Sequence, residues 1–125
     1  MSAQLSYKTL RAENSAEFVI NKSRFIGHGK PVEEALASLA RIRQKHKDAT
    51  HNCYAYIIGL NSGIMRYSDD GEPGGTAGMP IIEVMKARGV VNCAVVVTRY
   101  FGGILLGAGG LVRAYAQGSK AALDA

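Results

Sequence analysis

Residues 67–117 read YSDDGEPGGTAGMPIIEVMKARGVVNCAVVVTRYFGGILLGAGGLVRAYAQ. In this stretch two glycine-rich loops flank one short helix and one buried strand. NCAVVVT at 92–98 is valine-rich and apolar throughout, the composition of a strand covered on both faces. Ahead of it, Pro80 fits the first turn of a helix over 80–88, and Gly89 fits just past its end. The first loop, 68–78, carries Ser68, Asp69, Asp70, Glu72 and Thr76. The second, 99–110, carries Arg99, Tyr100 and the glycines Gly102, Gly103, Gly107, Gly109 and Gly110. It leads into an amphipathic helix over 111–123 that includes Arg113.

Working outward, CYAYIIGL at 53–60 reads as a central strand, turned at 61–63 and paired with 64–67. A helix over 31–46 precedes it, with Pro31 in its first turn and Leu36, Leu39 and Ile42 forming an apolar stripe with Ala35 and Ala40. Its acidic start, Glu33 and Glu34, and its basic end, Arg41 to Lys47, complement the helix dipole. This helix is expected to lie on the sheet with its basic end toward solvent. Further upstream, 7–12, 18–20 and 24–30 read as three strands, with Asn14 and Ser15 supplying the first turn. Strands early and helices late give an α+β two-layer sandwich in a single domain over 1–125.

A chain of 125 residues with 47% hydrophobic content can build one real core. No apolar run approaches the roughly 20 residues that span a bilayer. The N-terminus MSAQLSYKTLRAEN is too polar for a signal peptide, so a cytoplasmic protein is expected. Cys53 and Cys93 sit in apolar runs and read as reduced core thiols. With no CxxC and three scattered histidines, neither a metal site nor a cofactor is expected. The net charge of +5 is localised: residues 21–47 hold seven basic side chains against two acidic ones. Such a basic face suits an anionic partner, nucleic acid first, through Lys22, Arg24, Arg41, Arg43 and Lys45. The bland alternative for 41–47 is the solvated face of a helix.

The loops admit two chemistries. In the second, glycines let an oxygen-rich ligand approach, helix amides favour an anion, and Arg99 and Arg113 supply charged forks for phosphate or carboxylate. Tight packing of strand on helix, with residues 104–106 filling the core, explains the same glycines. A Walker loop needs a Lys-Ser/Thr pair that is missing, and Val112 stands where a dinucleotide fingerprint needs its third glycine. In the first loop, Asp69, Asp70 and Glu72 suit Mg²⁺ or acid–base work, or else turns, caps and ion pairs with Arg99 or Arg113. Thr76 is a nucleophile only with a base beside it, for which His51 is the nearest candidate. Tyr54 and Tyr56 share one strand face, where they pack a core or stack bases.

Four stretches carry a family resemblance: KSRFI at 22–26, HNCYAY at 51–56, SDDGEPGGTAG at 68–78 and VVTRYFGGILLGAGGLVRAY at 96–115. Together they resemble the Impact protein family, whose bacterial branch is the YigZ type. The resemblance implies the fold of a ribosomal-protein domain, of elongation factor G domain IV and of small-molecule kinases of the galactokinase–mevalonate kinase class. It implies a second, ferredoxin-like domain in longer members, which is expected to be absent from this chain. Eukaryotic members resemble translational regulators that bind the activator of the amino-acid-starvation kinase, and bacterial members point to RNA or the ribosome. The leading reading is a non-enzymatic, translation-related regulator that binds RNA, the ribosome or a regulatory protein. The rival is a phosphate- or nucleotide-binding protein or enzyme using the two loops.

Overall fold

The computed structural model describes residues 14–31, 35–59 and 63–124. Its first reversal is at Asn21 and Lys22, whose backbones take φ of 48° and 66°. This left-handed pair closes a tight antiparallel hairpin between β1 (Asn14–Ile20) and β2 (Ser23–Pro31). Then follow α1 (Ala35–Lys45), β3 (His51–Ile58), β4 (Ile64–Ser68), α2 (Gly78–Arg88), β5 (Cys93–Tyr100) and α3 (Gly107–Asp124). The five strands form one sheet in the order β1-β2-β5-β3-β4, and every neighbouring pair is antiparallel. The valine-rich β5 therefore lies at the centre, which is why its residues are buried on both faces.

Alternation along β5 divides the core in two. Cys93, Val95 and Val97 meet Phe25, Ile57, Ile81, Met85 and Tyr115 under α2 and α3. Val96, on the reverse face, meets Leu39 and Ile42 of α1, with Tyr54 and Tyr56 packed alongside. The two tyrosine rings stack at 6.3 Å, so their shared face serves packing. Where α3 crosses β2 the backbones nearly touch: a Cβ on Gly27 would lie 2.3 Å from the Gly118 carbonyl oxygen. Both Cys53 and Cys93 are free and buried, and burial pushes the Cys93 thiol up to about 12.

The expected α+β architecture is present, with two helices on one face, and α1 occupies the opposite one. Several local expectations differ. Asn14 and Ser15 open β1 rather than making a turn, because pairing with Gly29 and His28 overrides their turn preference. Pro31 ends β2 opposite Cys93, where a strand end tolerates a missing N–H. β5 runs on through Arg99 and Tyr100, and α3 begins at Gly107, so its first turn absorbs Gly109 and Gly110. Gly89 does cap α2, with φ of 66°. The expected strand at 7–12, Glu33, Glu34, the side chains of Ala35 and Leu36, and the turn residues 61 and 62 lie outside the described residues.

Candidate functional site

Glu72 is the hub beneath the helical layer. It is 7% exposed, and so is held by partners rather than by water. Arg99 Nη1 donates to its Oε1 at 3.1 Å and to its Oε2 at 2.9 Å. The Tyr115 hydroxyl donates to Oε2, and His51 Nε2 lies 3.3 Å from Oε1. Arg99 also donates to Ser23 Oγ and stacks over the rings of Phe25 and Phe101. His51 Nδ1 faces the Asp70 carbonyl oxygen at 2.7 Å, and because that partner only accepts, Nδ1 carries the hydrogen. Burial raises the Tyr115 phenol far above its usual range, reinforced by Cys53 and Glu72. One knot thus joins β2, β3, β5, α3 and the acidic loop.

The rest of that loop is anchored in the same way. Asp69 Oδ1 accepts from the amides of Ala77 (3.1 Å) and Gly78 (2.8 Å), and Oδ2 accepts from Gly75 (3.0 Å). It performs the capping of α2 that its N-cap residue, Ala77, has no side chain to perform. Burial works to raise the Asp69 carboxyl, but these three amides hold it below its ordinary value. Asp70 Oδ2 accepts from the Asn52 amide at 2.7 Å, and Ser68 Oγ accepts from the Asp70 amide. Thr76 Oγ1 donates to the Pro73 carbonyl at 2.6 Å, not toward His51. These groups have turn, cap and ion-pair partners within the fold.

In the second loop, Gly102 lies against the β1–β2 turn: an added Cβ would stand 1.9 Å from the Lys22 carbonyl oxygen. Gly103 and Gly107 take φ of 91° and 75°. Residues 104–106 do not fill the core together. Leu105 is 82% exposed, Ile104 and Phe101 are exposed, and Leu106 alone packs against the core. Arg113 is exposed, with Nη1 3.3 Å from where a Gly109 Cβ would be, and among the described residues it makes no ion pair with Asp69, Asp70 or Glu72. Tyr100 points to the opposite face of the sheet from Arg99.

That opposite face holds the charge. Between the exposed side of β1–β2 and α1 lies a groove of about 1110 Å³. Arg24 and Lys30 of β2 and Arg41 and Lys45 of α1 line it, with His28 and His46. Glu17 is its acidic residue, paired with Arg24 at 2.6 Å. Arg24 also lies 5.3 Å from the centre of the Tyr100 ring. Of the basic candidates, Arg24, Arg41 and Lys45 line the groove, while Lys22 and Arg43 lie outside its lining. The sequence reading missed His28, His46 and Glu17 as lining residues and left Lys30 out of the site. Alternation along RFIGHGK was the available signal, since it sets Arg24, Ile26, His28 and Lys30 on one face.

Fold and site together define an α+β domain with its signature loops tied by a buried ionic knot and a basic groove on the reverse face of its sheet. The Impact N-terminal domain family model matches residues 21–123, and the chain belongs to that family. It is 50% identical over 122 residues to the IMPACT family member YvyE of Bacillus subtilis, covering 95% of this chain and 56% of that one. A crystal structure of a hypothetical protein superposes with a TM-score of 0.86 at 42% identity, covering 93% of this chain and 59% of that one. The two-domain translational regulator Yih1 superposes with a TM-score of 0.56 at 21% identity, a likeness of fold alone, covering 99% of this chain and 52% of that one. The chain spans about half the length of the bacterial relatives it matches. Among the described residues, no helix is long and apolar enough to cross a membrane.

Proposed function

We propose that this domain is a non-enzymatic, translation-related regulator of the cytoplasm that binds RNA, free or in the ribosome, through the groove between β1–β2 and α1. The observation that carries the reading is the lining of that groove: four Lys and Arg side chains converge there from two elements, with one carboxylate among them. A groove with an excess of positive side chains attracts the opposite charge, and a phosphate chain matches a line of cations. Membership of the Impact N-terminal domain family, whose eukaryotic members resemble translational regulators, supports the translation-related part of the reading. The carboxylates of the acidic loop bind amides, Arg99 and Tyr115, which weighs against the rival reading of a metal–nucleotide bridge between the loops. Binding of a single-stranded RNA across a salt series is the test. A linear fall of log K with log salt is expected, at roughly −0.7 per phosphate contacted. A flat profile, or heat with Mg²⁺ and ATP instead, overturns the reading.

A second reading, a regulatory protein partner, has its own support. Phe101, Ile104 and Leu105 are exposed apolar side chains on one loop, and such clusters mark contact surfaces. A photo-reactive residue at position 105 is expected to trap a protein in cells. No adduct above background sinks this second reading.

A further inference from the structure

Two buried side chains, Asn52 and Thr98, set the hydrogen-bond roles of His28, which lines the groove. Asn52 Nδ2 donates to the His46 carbonyl at 3.1 Å, so its Oδ1 is free to accept, and the Thr98 hydroxyl donates to it at 2.7 Å. Thr98 Oγ1 can then only accept from His28 Nε2, 3.3 Å away, which puts the ring hydrogen on Nε2. His28 Nδ1 is left as an acceptor. Beside it, His46 Nδ1 meets the Tyr100 oxygen at 2.6 Å, and the Tyr100 hydroxyl donates to Asp48. His46 Nε2 is left over. No buried side-chain nitrogen or oxygen among the described residues lacks a hydrogen-bond partner. Neither remaining nitrogen is therefore a buried atom without a partner, and both rings line the groove, their centroids 5.5 Å apart.

We propose that this histidine pair seats one ribose–phosphate unit, His28 Nδ1 accepting from a 2′-hydroxyl and His46 Nε2 donating to the adjoining phosphate. The inference rests on the RNA reading above and adds that the groove selects RNA over DNA, because a deoxyribose at this seat has no 2′-hydroxyl to donate to the acceptor. The phosphate is held without any bond forming to phosphorus. His46 takes one proton from solvent as the phosphate docks, and its Nδ1–H and the Tyr100 hydroxyl then donate in sequence toward Asp48. The helix end is no obstacle: the His46 carbonyl already accepts from the Ala49 amide and from Asn52.

The surroundings support both roles. Burial, then His46, Lys30 and Lys45, bring His28 down to about 4, so it stays neutral and accepting. Burial, then Lys45 and Arg24, lower His46 in the free protein, against smaller opposing effects of Asp48 and Glu17. Those two carboxylates already accept from Tyr100 and Arg24. A docked phosphate adds the negative charge that favours the imidazolium.

The test compares a short oligouridylate with the same oligodeoxyuridylate and the 2′-O-methyl form on the intact protein. RNA is expected to bind about two- to tenfold tighter than either, the worth of one net hydrogen bond. Its affinity is also expected to rise between about pH 8 and about pH 6 in the unmodified protein, up to about tenfold for a one-unit change at His46. In His46→Gln one weaker affinity should hold at both pH values. NMR titration of His46 with and without RNA reads the same proton directly. Equal binding of RNA and DNA with a salt slope overturns this inference and leaves the RNA reading standing. Binding of neither overturns both. Saturation by uridine monophosphate as tightly as by the chain assigns the seat to a free nucleotide and overturns it as well, as does pH dependence surviving in His46→Gln.

Discussion

Arg99 Nη1 donates to both carboxylate oxygens of Glu72, at 3.1 and 2.9 Å, in a pair buried between the sheet and its two-helix layer. Removing one partner strands the other charge away from water. Arg99→Met and Glu72→Gln are each expected to cost about 3–5 kcal/mol in chemical denaturation. The double variant should be more stable than the sum of the two losses allows, by about 1 kcal/mol or more. Strict additivity would mean that the pair is not coupled.

Gly102 and Gly103 are adjacent in sequence but differ in what surrounds them. A side chain on Gly102 collides with the Lys22 carbonyl, whereas Gly103 faces open space with a positive φ. Gly103→Ala is expected to cost about 1 kcal/mol, the backbone penalty alone. Gly102→Ala should cost clearly more, because the β1–β2 turn must move, and thermal unfolding of the two variants ranks them.

Asp69 binds three amides only while ionised. Its folded-state carboxyl lies below the ordinary value, so its stabilisation is present above pH 3.8 and is lost as pH falls through the folded value. Asp69→Asn is expected to lose about 1 kcal/mol near neutral pH, as for a lost helix cap. The gap between Asp69→Asn and the unmodified protein should close on acidification below that value. A gap that persists in acid would assign the effect to shape rather than charge.

The groove separates basic residues that composition alone cannot. Arg41 and Lys45 line it, while Arg43, two residues from each, does not. Replacing Arg41 and Lys45 by Ala is expected to reduce the salt slope for RNA by roughly 0.7 per lost phosphate contact. Arg43→Ala should leave the slope unchanged. Equal effects of all three would place RNA on the outer face of α1.

Much of the fold was legible because its signals are local. The run Ala94 to Val97 marks a central strand, Gly89 marks the end of α2, and the stripe of Leu39 and Ile42 orients α1. Boundaries were less legible where pairing overrode propensity. Asn14 and Ser15 are turn formers held in a strand by β2, and glycines at the start of α3 are helical because the segment behind them packs on the sheet.

The site divides along the same line. Sequence by itself determined the family motifs, the concentration of positive charge in residues 21–47, and the presence of two loops rich in glycine, because composition and spacing survive without coordinates. Only the tertiary structure decided how these are used. Glu72 and Tyr115 are 43 residues apart, and no local pattern announces that one accepts from the other. The register that sets His51 opposite Arg99 builds the knot on one face of the sheet. Arg24, His28, Lys30 and α1 meet on the other. Periodicity tells which residues share a face of one element. Which faces meet is set by the packing of elements distant in the chain.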